Sequence, residues 1–150
     1  MIIKWIRKVV YLLIVLLASV MIFSVLSSVL FRFILHKSCY WGDELARYSM
    51  IWAGLLGISA SIREGMTIGV DFFIQKMPIR IRNVLFKITW ILCAFFLILA
   101  IHQGVIFTSM FKYQLSPALK IPMIYIYSAI PIGFVVSLLD VVEKIFSNRK

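Results

Sequence analysis

The sequence predicts an all-α integral membrane protein with four transmembrane helices, and three observations carry that prediction. Hydrophobic residues fill 63% of the 150 positions, with a mean hydropathy of +1.02. A soluble domain of this size has no core large enough to bury such a composition. Four apolar runs are each long enough to supply the about 20 helical residues needed to cross an about 30 Å hydrocarbon layer. The cations, finally, sit mostly between those runs. A net charge of +10 would elsewhere suggest nucleic acid, but nucleic-acid binding needs a water-exposed basic face, which short segments between spans do not offer. No nucleic-acid partner is expected; membrane lipid is. The chain reads as a single domain over 1–150, without repeat, linker or low-complexity stretch.

The first span is expected over about 9–31, after Lys4, Arg7 and Lys8. A charged start before an apolar run also suits a signal peptide. This run, however, exceeds the about 7–15 residues of a signal peptide's apolar stretch, and no small-x-small cleavage site follows; an uncleaved anchor is expected. The second span is expected over about 44–62, ended by Arg63, Glu64 and Gly65, the third over about 84–110, and the fourth over about 121–139. Between the second and third lies 63–83, in which Ile68, Val70, Phe72, Phe73 and Ile74 mix with Lys76, Arg80 and Arg82. That mixture suits a segment lying in the interface with its cations toward anionic headgroups; Pro78 limits any helix there.

Orientation follows from the cations, because short loops rich in Lys and Arg stay cytoplasmic. The two tails and the 63–87 connection hold eleven of them, and the other two connections hold Arg32, Lys37, Arg47, Lys112 and Lys120. Both termini are therefore expected in the cytoplasm, in agreement with an even number of spans. Trp5, Tyr11, Tyr40, Trp41, Trp90, Tyr113 and Tyr125 fall where interfacial aromatic anchors belong.

Little in the spans could do chemistry. Cys39 falls in the first connection and Cys93 inside the third span, so neither a disulfide between them nor a CxxC pair is expected. No His/Cys/Asp/Glu grouping has metal-ligand spacing, no Gly-rich phosphate loop occurs, and no Ser lies in a nucleophile elbow. No catalytic, cofactor-binding or metal-binding residue is predicted, and the chain is not expected to be an enzyme. His102 and Gln103 are the most polar residues within a span. Burying them requires a partner; a hydrogen bond to a neighbouring helix, a contact with another subunit and a proton or ion role all satisfy that need.

The densest polar grouping is WGDELAR, 41–47. Gly42 or Asp43 can cap the second span, and Asp43 and Glu44 suit the positive end of a helix. Arg47 lies four residues from Asp43 and three from Glu44, a spacing that lets either pair meet on one face. A capped helix with a surface ion pair and a contact with another protein both fit. Ala53, Gly57 and Ser61 recur every four residues and form a small-residue ridge along which another helix can approach closely, either from this chain or from another subunit. In the fourth span Pro131 leaves the carbonyl of Tyr127 without its helical donor, which predicts a kink.

The run WGDELARYSMIWAGLLGISASIREGMTIGVDFF, followed after the third span by SPALKIPMIYIYSAIPIG, resembles the DctQ-like small membrane subunit of tripartite ATP-independent periplasmic (TRAP) transporters. The resemblance covers nearly the whole chain and rests on the W-x-D-E-x-x-R-Y start, the A-x-x-R-x-G and I-x-V-D stretch around Arg63 and Asp71, and the ALKIPM and IPIG pair. Thr67 departs from it, standing where many relatives have His. The resemblance implies a complex with a large M-type permease subunit in the bacterial inner membrane. It also implies a periplasmic P-type binding protein that delivers an organic acid, with uptake driven by an ion gradient, usually sodium. In that setting Ala53, Gly57 and Ser61 would pack on the permease, and Trp41, Asp43, Glu44 and Arg47 would dock the binding protein or seal the subunit seam. Arg63 and Asp71 would tie the second span to the interfacial segment. Two rivals fit less well. A self-sufficient four-span exporter of small cations needs a membrane-embedded acid, and Asp140 near Glu143 and Lys144 is the nearest candidate. A quinone-linked thiol oxidoreductase needs paired cysteines on the outer side, where only Cys39 lies.

Overall fold

The computed structural model describes residues 2–34, 36, 39–64 and 79–147. Five helices account for nearly all of them: α1 (Ile2–Ile34), α2 (Tyr40–Glu64), α3 (Ile79–Met110), α4 (Met123–Tyr127) and α5 (Ala129–Ser147). Four spans are long and apolar enough to cross a membrane: one in α1, one in α2, one in α3 and one running through α4 and α5. Among the described residues there is no β-strand beyond an isolated antiparallel bridge between Leu115 and Pro122.

The helices are longer than their apolar runs. α1 begins at Ile2 rather than 9, and α5 continues to Ser147 rather than stopping near 139. The added turns carry Arg7 and Glu143, which pair with each other, so charged side chains at the ends need not break the helix. α2 begins at Tyr40 instead of 44, because the carbonyl of Cys39 already accepts the backbone N–H groups of Gly42 and Asp43. The cap is therefore one turn earlier than Gly42 or Asp43. α3 starts at Ile79, so 79–83 of the expected interfacial segment are helical and continuous with the third span. The remainder of that segment, 65–78, lies outside the described residues.

The helices form a row in the order α1, α2, α5, α3, each packed mainly on its neighbours. Glycine sets the spacing at two crossings. A Cβ on Gly42 would collide with Ser28 Oγ of α1. One on Gly133 of α5 would lie 2.8 Å from Leu55 Cβ and 3.2 Å from the Leu55 backbone in α2. On the other side of α5, Val141 is buried with Trp90 and Leu97 of α3, and Phe134 and Leu138 pack against that core. Lys144 Nζ lies 5.4 Å from the centre of the Trp90 ring.

The last span is interrupted at Ser128, three residues before Pro131. The Tyr127 carbonyl, deprived of the proline's N–H, is met by Thr108 Oγ1 of α3 at 3.1 Å; the same hydroxyl also reaches the Gly104 carbonyl at 2.7 Å. Phe107, Phe111 and Tyr127 stack beside it, with centroids 4.6–5.2 Å apart. The predicted kink thus corresponds to a break whose freed carbonyl is supplied by the neighbouring helix.

Candidate functional site

Two polar centres stand at opposite ends of α2. Glu44 is in its first turns and Arg63 in its last, about 28 Å apart at 1.5 Å per residue, close to the thickness of a hydrocarbon layer.

At the Arg63 end the organising residue is Asp140 of α5, buried at 6% exposure. Arg63 Nε donates to its Oδ2 at 3.0 Å, Ser59 donates to the same oxygen, and Arg7 of α1 approaches Oδ1 at 3.4 Å. Arg63 also donates to Ser59 Oγ, and Arg7 pairs with Glu143. Two arginines face two carboxylates across three helices, and this balance lets the charges sit at the end of the row without an unpaired ion. The beginning of α1, the end of α2 and the end of α5 consequently share one end of the molecule.

At the other end Glu44 closes the α3–α4 connection. Its Oε2 accepts the backbone N–H groups of Leu119 at 2.7 Å and Ala118 at 3.0 Å, and its Oε1 accepts the Tyr48 hydroxyl. The connection is itself a tight hairpin: Ser116 N–H donates to the Ile121 carbonyl, Met123 N–H to Gln114, and Lys120 N–H to Ser116. Lys120 takes a φ of 52° to make the turn. A carboxylate bonded to two successive amides fixes both position and orientation of such a loop.

The remaining residues singled out in the sequence fall as follows. Asp43 and Arg47 are exposed near Glu44, and among the described residues no ion pair joins Arg47 to either acid. Glu44 is instead committed to backbone amides and Tyr48, which is the physical reason the expected pair does not form. Trp41 is exposed and meets Phe31 of α1 edge-on at 6.5 Å. Ala53 and Gly57 are half-buried, Ser61 is exposed, and a Cβ on Gly57 would meet nothing within 4 Å. The small residues that α2 buries within the chain are Gly42, Ala46, Ser49 and Ser59; Gly42 and Ala46 share a stripe of the helix with Ala53 and Gly57, each pair being eleven residues apart. Arg63 turns to Asp140 and Ser59; Asp71 lies outside the described residues. His102 and Gln103 are exposed on α3 without hydrogen-bond partners among the described residues, and Gln103 lines an apolar groove of about 420 Å³ with Phe107, Ile130 and Phe134. Asp140 was singled out in the sequence only as the acid an exporter would need; its role in joining three helices was not legible there. An acid within an apolar run was the available signal, but its partners lie 77 and 133 residues away.

Among the described residues no three His, Cys, Asp or Glu side chains could hold a metal ion together. Cys39 is buried beside Gly42, and Cys93 is half-buried on α3.

A family model described as the DctQ component of tripartite ATP-independent periplasmic transporters matches residues 21–150. The chain belongs to the DctQ family. It is similar, at 31% identity over 125 residues, to the isethionate TRAP transporter permease protein DctMQ of Oleidesulfovibrio alaskensis, covering 75% of this chain and 19% of that protein. It is 29% identical over 115 residues to the sialic acid TRAP transporter permease protein SiaT of Haemophilus influenzae, covering 74% and 18%. To the C4-dicarboxylate TRAP transporter small permease protein DctQ of Rhodobacter capsulatus it is 26% identical over 106 residues, covering 62% and 42%. The chain thus spans about a fifth of the first two relatives and under half of the third. It is a multi-pass membrane protein of a transporter family. The WGDELARYS and SPALKIP stretches fall within the matched region, and in the fold they meet: Glu44 of the first binds the Ala118 and Leu119 amides of the second.

Proposed function

We propose that this DctQ protein is the small accessory subunit of a TRAP transporter. It braces a large permease subunit for ion-gradient-driven uptake of an organic acid that a periplasmic binding protein delivers. The observation that carries this reading is the open row of helices. Its four spans bury few large side chains among themselves, and both polar centres are used in holding helices and a loop together. A platform with ends cinched by Asp140 and Glu44 is suited to holding a partner still. The relatives support the same division of labour, since the chain corresponds to a small part of two much longer permease proteins.

In this reading the molecule lies in the bacterial inner membrane, with the Arg7–Arg63–Asp140 end and both termini in the cytoplasm and the Glu44 end in the periplasm. The face of α2 carrying Ala53, Gly57 and Ser61 packs on the permease, which explains why a side chain at Gly57 has open space within this chain. Trp41, Asp43 and Arg47 take part in the periplasmic contact with the permease or the binding protein. A self-sufficient exporter has less support, because the one acid deep in its last span is held by two arginines and a serine.

The test is co-purification. A tagged chain co-expressed with the large permease from the same genome should retain it through detergent extraction, and Gly57→Leu should sharply lower the retained fraction. Full retention by the variant removes the Gly57 face from the interface, and failure of the wild-type chain to retain the permease overturns the subunit role.

A further inference from the structure

At the Glu44 end, the last turns of α1 and the first turn of α2 enclose a pocket of about 250 Å³. It is smaller than the about 300–1,000 Å³ that typically holds a drug-sized ligand. Its two walls carry opposite charges, Arg32 in the last turn of α1 and Asp43 in the first turn of α2. Both side chains are exposed, and among the described residues they form no ion pair with each other. Ser28, one turn before Arg32 and therefore on the same face of α1, also lines the pocket. It is 9% exposed, and its Oγ packs against Gly42 without a hydrogen-bond partner among the described residues. Val25 and Val29 continue the lining toward the middle of α1, each about half exposed. The pocket therefore has a cationic wall, an anionic wall and an apolar track leading into the hydrocarbon layer.

We propose that this pocket holds the headgroup of a zwitterionic phospholipid bearing a primary ammonium. The phosphate takes hydrogen bonds from the Arg32 guanidinium, whose fork matches phosphate oxygens. The ammonium donates to the Asp43 carboxylate, and an acyl chain follows Val25 and Val29. A purely anionic headgroup would leave Asp43 facing a like charge. A quaternary ammonium has no N–H to donate and is best held by an aromatic cage, whereas this pocket has one aromatic, Phe33. A water-soluble phosphate–ammonium molecule shares the polar chemistry, but makes no use of the apolar track.

Cys39 is a built-in reporter, since its free thiol is 7% exposed and lines the same pocket. The full chain carrying Cys93→Ser would be placed in nanodiscs of phosphatidylglycerol mixed with either phosphatidylethanolamine or phosphatidylcholine, and maleimide labelling of Cys39 timed. Labelling is expected to be roughly tenfold slower with phosphatidylethanolamine, as it would be at about ten times the dissociation constant. Arg32→Gln and Asp43→Asn should each abolish the difference, while Asp43→Glu retains most of it. Equal rates in the two lipids overturn the proposal, as does protection that survives both charge-removing variants. Water-soluble phosphoethanolamine added to the phosphatidylcholine discs should leave the rate unchanged; protection equal to that of the lipid would overturn the assignment to a membrane lipid.

Discussion

Arg63 Nε lies 3.0 Å from Asp140 Oδ2, and this ion pair joins the last turn of α2 to the middle of α5. Both side chains are largely withdrawn from solvent, at 18% and 6% exposure. Removing one partner of such a pair leaves a charge without compensation and typically costs about 3–5 kcal/mol. Asp140→Asn and Arg63→Gln should each destabilise the purified chain on that scale in reversible unfolding from detergent micelles. The double variant should lose clearly less than the two single losses combined, because the stranded charge is gone. Additive losses would show that the two residues act separately.

Glu44 tests the other end of α2. Glu44→Ala removes a carboxylate that accepts two backbone amides, and hydrogen bonds to a charged group contribute about 1.5–3 kcal/mol. The Ala118 and Leu119 amides should lose hydrogen-exchange protection, while amides in the middle of α3 stay protected. Arg47→Ala should leave those amides unchanged, because Arg47 makes no ion pair with Glu44 among the described residues.

The Thr108 hydroxyl meets a carbonyl freed by Pro131. Thr108→Val should destabilise the chain by roughly 0.6–1.7 kcal/mol, the range measured for hydrogen bonds between membrane helices. In a Pro131→Ala background the Tyr127 carbonyl regains a helical donor, and the same Thr108→Val change should then have a smaller effect. Equal effects in both backgrounds would disconnect Thr108 from the break.

Glycines with and without a close neighbour should behave differently. Gly133→Ala places a methyl against the Leu55 backbone, which cannot rotate away. A cost of about 1–3 kcal/mol is expected from overpacking. Gly57→Ala and Gly54→Ala meet open space and should leave the isolated chain's stability unchanged or up to about 1 kcal/mol higher, given alanine's better helix propensity. Thermal unfolding of the three variants side by side checks the contrast.

The four spans were legible because hydropathy over some twenty residues is a direct readout of transfer to lipid. Their ends were not, since the turns beyond the apolar stretch of α1 and α5 are held by Arg7 with Asp140 and Glu143, a pairing far apart in sequence. Local spacing drew attention to Glu44 and Arg47, but the groups that engage Glu44 include two backbone amides, which have no residue-type signature. Pro131 could be read as a break because proline's missing donor is a local property. The donor that replaces it, Thr108, belongs to another helix and required the fold. The Ala53, Gly57 and Ser61 ridge was visible from its spacing, yet only the structure shows that α2 uses a different set of small residues against its own neighbours.

Reconstituted transport tests the bracing role most directly. Proteoliposomes containing this chain together with its large permease, supplied with the binding protein and organic acid outside and an inward sodium gradient, should accumulate the acid. Vesicles with either membrane subunit alone should not. Uptake by vesicles holding this chain alone, or undiminished uptake when it is left out, would contradict its role as a bracing subunit.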